Sequence, residues 1–279
     1  MTLRTILACL TDETSADSVM LAATSLARRH NAHLIGLHTI ESLMVYPRIA
    51  MHIPDSVYTY FSESQMKQSA ALKAIFERHI HAEDFVSEWR LLKSGTETTA
   101  DRIVESARCA DVVVMAAATP ETDGNTKVQL VETVIRDAGR PVTVVPSSFD
   151  ADTLGQSILI GWNETREAAR AAHDALNILQ KGDTARILRV SVGTHDTEPD
   201  ITTNDLAAAF DRHGIETTVV HKTSDQPSIA EALNKEAFEK GADMIAVGAF
   251  GHSRAYDFLI GAATRGLLRQ SDLPVMFSR

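Results

Sequence analysis

Short apolar runs alternate along the whole chain with longer stretches in which apolar residues recur every three or four positions. In the second half the runs are ILIGW, ARILRVSV, IETTVVHK, DMIAVGA and PVMF. The amphipathic stretches between them predict helices over about 164–180, 203–213, 227–240 and from about 261. The resulting order is βαβαβαβαβ. Runs that are apolar on both faces, such as VVVMA at 112–116 and MIAVGA at 244–249, suit strands of a parallel sheet covered by helices. Because crossovers are right-handed, a doubly wound, layered α/β domain is the simplest closure. Ligands of such sheets bind beyond the strand C-termini, at the switch point. That crevice is rimmed by residues 161–166 and 248–261 in the second half, and by 10–15 and 116–128 in the first.

The pattern occurs twice. Thr5-Ile6-Leu7, a polar loop at Thr11-Asp12-Glu13-Thr14 and a helix-like run match Ser157-Ile158-Leu159, Asn163-Glu164-Thr165 and REAARAAHDAL. Ala110-Asp111-Val112-Val113 matches Ala242-Asp243-Met244-Ile245, and GRPVTVVP matches DLPVMFS. Four landmarks in one order indicate a duplication. The polar stretch SSFDADTLGQ at 147–156 separates the copies, giving domains over 1–148 and 155–279. The copies differ at an insert over 41–61 of the first, which includes MVYPRIAMHIPDSVYTYF. Its Met44, Tyr46, Met51, Tyr58, Tyr60 and Phe61 are expected to fold back as a small apolar cluster over the sheet. A pocket or partner surface is the alternative.

Composition narrows the partners. With 27 Lys and Arg against 37 Asp and Glu, the net charge of −10 disfavours a nucleic-acid partner. No apolar run is long enough for a signal or a membrane span. Cys9 and Cys109 have no CxxC spacing, so neither a disulfide framework nor a cysteine zinc site is expected. A reducing cytoplasm fits best. Both cysteines are expected to be buried and inert.

The chemistry concentrates after the fourth strand of the second copy, in VGAFGHSRAYDFLIGAATRGLL. Gly248, Gly251 and Gly261 are spaced G-x2-G-x9-G, which lets backbone N–H groups approach an anion near a helix start. A strand-to-helix turn also uses glycine for purely conformational reasons, so the motif gains weight from its position at the switch point. This pattern, together with ILIGWNETREAARAAHDAL, GADMIAVGAFGHSR and PVMF, resembles the universal stress proteins, in tandem form. The resemblance implies two Rossmann-like domains, each with a five-stranded parallel sheet of order 3-2-1-4-5. It also implies that the last strands of the two domains pair across a pseudo-two-fold axis, as an intramolecular pseudo-dimer that could itself dimerise.

In nucleotide-binding members, adenine lies between the loop after strand one and the end of strand two, and phosphates lie in the glycine loop. Carried over, the resemblance implies an ATP site, with Mg, at Asn163, Val190, Val247, Gly248, Gly251, Gly261, Ala262, Ala263 and Thr264. Asn163 replaces the usual Asp but can still hydrogen-bond an adenine edge. Ala262 replaces a Ser or Thr, which removes a hydroxyl donor to phosphate and about 1.5 to 3 kcal/mol of affinity. In the first copy Ala116, Thr119 and Val128 stand at the glycine positions, with Glu121 and Asp123 nearby, so no ATP site is expected there.

Other candidates carry less. His79 and His81 are two apart on a helix and do not share a face, so they are read as solvent-facing rather than metal-binding. His252-Ser253-Arg254 lacks an acidic orienter for a nucleophile and base. Glu13 and Glu164 are read as helix N-terminal acids. No general acid, metal cage or activated nucleophile converges on the crevice. The expected role is therefore a stress-responsive, ligand-binding or regulatory protein with no committed chemical step and with protein partners that the residues do not name. The alternatives are a slow ATPase or phosphotransfer protein acting through the second domain, and an assembly module that binds no nucleotide.

Overall fold

The computed structural model describes residues 2–42, 54–118, 120–192, 201–224, 228–251 and 257–279. The first half runs β1 (Thr5–Cys9), α1 (Glu13–His30), β2 (His33–Ile40), α2 (Asp55–Ile80), β3 (Ser87–Lys93), α3 (Thr99–Ala107), β4 (Val112–Ala116), α4 (Pro120–Asp137) and β5 (Val142–Val145). The second runs β6 (Ser157–Trp162), α5 (Arg166–Ile178), β7 (Thr184–Val192), α6 (Ile201–Arg212), β8 (Glu216–Ser224), α7 (Ile229–Glu239), β9 (Met244–Gly248), α8 (Asp257–Gln270) and β10 (Val275–Ser278). Among the described residues the strands form one sheet of order β3-β2-β1-β4-β5-β10-β9-β6-β7-β8. Each half is thus a 3-2-1-4-5 parallel sheet. The two join where β5 and β10 pair antiparallel, with Val144 opposite Val275 and Val142 opposite Phe277.

Local chemistry explains why the duplicated residues recur. Asp111, just before β4, accepts from the backbone N–H groups of Arg4 (2.7 Å) and Thr5 (2.9 Å). Asp243, just before β9, accepts from Gln156 (2.8 Å) and Ser157 (3.3 Å). Each aspartate ties the start of its half's first strand to the fourth, satisfying amides that lie beyond the ladder. The helices after the first strands are capped by side chains: Asp12 accepts from Ser15 N–H at 3.0 Å and Thr165 from Ala168 N–H at 3.2 Å. Their inward faces are rich in alanine, which brings α1 and α5 close against the sheet.

One apolar layer spans both halves, from Ile6 and Leu26 through Leu154 and Gly155 to Ile160 and Ile178. Gly155 has φ +80°, and a Cβ there would overlap Ile178 and touch Leu26 at 3.6 Å. Only glycine can thread this crossing. At its edge Arg29 pairs with Asp183, and Gln180 donates to the Arg29 carbonyl at 2.8 Å.

The structure corrects four expectations. Residues 55–61 of the insert are helical, forming the first turns of α2, with Tyr60 76% exposed rather than packed. Helical geometry turns Tyr58 and Tyr60 outward, and Met44, Tyr46 and Met51 lie outside the described residues. Cys109 is exposed in the turn after α3, whereas Cys9 is buried in β1 with its thiol pushed up to about 12 by desolvation. His79 does not face solvent. Its Nε2 lies 2.8 Å from Asp17 Oδ1, beside Arg78, and pins α2 to α1. The last long helix begins at Asp257, one turn before Gly261.

His30, at the end of α1, is 6% exposed. Burial, and then the positive charge of Arg29, push its imidazole down to about 4. The unfolded chain therefore takes up a proton near pH 6.5 that the folded chain refuses until near 4, so stability falls as pH drops through this window. We expect a loss of roughly 2 to 3 kcal/mol between pH 7 and 4 from this group. Urea unfolding of wild type and His30→Gln at both pH values checks it, because the variant should show a smaller drop.

Candidate functional site

Most of the carried-over positions come from four places in the second half: the ends of β6, β7 and β9, and the second turn of α8. Asn163, Val190, Val247, Gly248, Ala263 and Thr264 line one cleft of about 540 Å3 beyond the C-terminal ends of the strands. Gly261 and Ala262 belong to α8, and their surroundings lie outside the described residues. Gly251 lies just outside it, in the loop after β9.

The cleft has an apolar floor that the motif did not reveal. Trp162 closes β6, and Ile229 and Leu233, one turn apart on α7, form a wall with Leu188 and Leu267. Gly161 allows this packing: a Cβ there would stand 3.0 Å from Val247 and 3.2 Å from Leu233. The alternation of β6 and the i, i+4 spacing of α7 were readable, but nothing local shows that these faces meet. Trp162 is 9% exposed, and its indole N–H has no partner among the described residues.

Glycines 248 and 251 both face the first turn of α5. A Cβ on Gly248 would lie 2.5 Å from the Glu167 carbonyl carbon and 2.6 Å from the Ala168 nitrogen, so β9 passes directly over the first turn of α5. A Cβ on Gly251 would lie 2.8 Å from Glu167 Oε2. Glu167, 3% exposed, is the acid that complements the α5 N-terminus, and it pairs with Arg166. Glu164, assigned that role from sequence, precedes the helix with φ +59° and turns its carboxylate to Arg189 and Thr202. The loop is also held from the other half. Phe250, at φ +52°, has the Arg136 guanidinium 4.1 Å above its ring.

In the first half, Ala116 ends β4 and Val128 sits inside α4. Thr119 lies outside the described residues.

Because the groups facing Gly248 are backbone, they cannot move aside, whereas Gly251 faces a carboxylate that can. Gly248→Ala is expected to cost about 1 to 3 kcal/mol, and Gly251→Ala distinctly less. Thermal unfolding of the two variants checks the order.

Residues 155–279 match the family model described as the universal stress protein family. No curated protein is a match to the chain. Among solved structures, a universal stress protein from Archaeoglobus fulgidus DSM 4304 is 16% identical with a TM-score of 0.71, over 100% of this chain and 97% of that one. A protein described as a candidate universal stress protein from Pseudomonas aeruginosa UCBPP-PA14 is 13% identical with a TM-score of 0.59, over 99% and 93%. Among the described residues no helix is long and apolar enough to cross a membrane. Residues 155–279 thus match the universal stress protein family, within a fold shared over the full length with a tandem-sized universal stress protein.

Proposed function

We propose that the second half binds an adenine nucleotide weakly, as ATP with Mg, and that the protein works as a ligand-binding regulator rather than through a chemical step. The observation that carries this reading is the convergence of Asn163, Val190, Val247, Gly248, Ala263 and Thr264 on one cleft. Its apolar walls suit a base. Asn163, exposed at the rim, offers an amide to the base edge, and its Oδ1 already accepts from Thr165 at 2.8 Å, which orients it.

Two features weaken the phosphate end. Ala262 supplies no hydroxyl, and the Glu167 carboxylate beside Gly251 repels an anion brought to that loop. Its charge is reduced, not removed, by Arg166, whose side chain is 78% exposed and therefore well screened.

Calorimetric titration of the full chain with ATP and Mg tests the proposal. Wild type should bind weakly, Asn163→Ala more weakly still, and Ala262→Ser about ten- to hundredfold more tightly. Glu167→Gln should also gain affinity. No phosphate should be released in any case. Absence of binding by all four proteins, or release of phosphate by the wild type, would overturn the reading.

A further inference from the structure

The first half contains a cleft of its own, about 710 Å3, over the C-terminal ends of β1 and β2 and between α2, α3 and α4. It is not a degraded copy of the other cleft, because its polar groups are different and partly uncommitted. His38 and Thr39 are successive residues of β2 and point to opposite faces of the sheet, yet both line this cleft because it sits over the strand's end. His38 is 3% exposed, and its Nδ1 lies 2.8 Å from the Leu10 carbonyl oxygen. A carbonyl only accepts, so the ring proton is on Nδ1 and Nε2 is a bare acceptor. Burial pushes the imidazole below its ordinary value and keeps it neutral. His38 Nε2 and Thr39 Oγ1 are both buried without a hydrogen-bond partner among the described residues. Groups left in this state cost roughly 1 to 3 kcal/mol each unless something completes them.

The charges at the mouth select what could complete them. Glu41 lines the cleft and accepts from Thr99 Oγ1 at 3.2 Å, and no cation pairs with it among the described ion pairs. The basic group of the cleft, Lys127, is held 3.3 Å from Asp12 Oδ2. Burial would raise the Asp12 carboxyl, but hydrogen bonds from Thr14 and Ser15 and the Lys127 ammonium bring it down to about 2, so the pair stays ionised and cancels. What remains is one carboxylate and a set of acceptors above apolar walls. Anions are disfavoured, and a donor-rich cation is favoured.

We propose that the cleft of the first half is a binding site for a small aliphatic amine bearing a second hydrogen-bond donor, a diamine or an amino alcohol. Its ammonium pairs with Glu41, its second donor completes Thr39 Oγ1, and its short carbon chain lies against Leu37 and Ile103, on the same face of the sheet as Thr39. The site is independent of nucleotide binding by the second half.

Calorimetry on the full chain with 1,4-diaminobutane and with ethanolamine, each against butanoate, tests this. At least one amine should bind with a dissociation constant below about 1 mM, and butanoate should not bind. Glu41→Gln, at an exposed position, should weaken amine binding about tenfold or more while leaving the melting temperature in place. Thr39→Val should do two opposite things: raise the melting temperature of the free protein, because the orphaned hydroxyl is gone, and lower amine affinity. Lack of binding by both amines up to about 10 mM, equal binding by Glu41→Gln, or binding of butanoate as tightly as the amines would each overturn the proposal. ATP binding, present or absent, bears only on the second half.

Discussion

Everything in this molecule depends on the antiparallel ladder between β5 and β10. Each half, built alone, is a parallel sheet with a short apolar strand at one edge, and an exposed apolar edge invites pairing with other chains. Joining the two edges consumes both. It also forces α1 and α5 to meet over one face, where Leu26, Gly155 and Ile178 share a single crossing, and it brings Arg136 of one half over Phe250 of the other. The two domains of the duplication are thus units of sequence. In the folded protein the apolar layer on that face runs through both of them.

Within this shared frame the two clefts have diverged by different means. The second half keeps close backbone passages, with Gly161 and Gly248 letting strands and helices approach until the floor is apolar and tight. The first half fills the equivalent turn with Ala116 and a helix that starts at Pro120, and its cleft is lined by residues from β2, α2, α3 and α4. A loop that must surround an anion needs bare backbone, whereas a pocket for donors needs acceptors on rigid strands. Duplication supplied the same switch point twice, and the residues around it set two different electrostatic environments.

Much of this was legible in the sequence, and the reasons are specific. The strand runs are apolar on both faces, so their burial needs no partner to be inferred. The repeated Ala-Asp before β4 and β9 marked equivalent positions, although its purpose, holding the first strand's amides, emerges only when the strands are side by side. Glycine spacing located the β9 loop but could not show that the atoms crowding Gly248 come from a helix some eighty residues earlier. The same distance in sequence hid Leu233 and Trp162. Cys109 and Tyr60 were misplaced because burial was inferred from residue type, while a turn and a helix face decided otherwise.

The connection between β5 and β10 also imposes an order in time. A ribosome delivers β5 first and must complete every element of the second half before the strand that covers it exists. At synthesis rates of about 5 to 20 residues per second, that edge stands open for on the order of ten seconds, far longer than the first half needs to collapse. A nascent first half that collapses in that interval therefore carries one adhesive side. Neighbouring ribosomes on one message would present such sides to each other, so the protein's yield in a cell depends on what shields β5 during that interval as well as on the stability of the finished sheet.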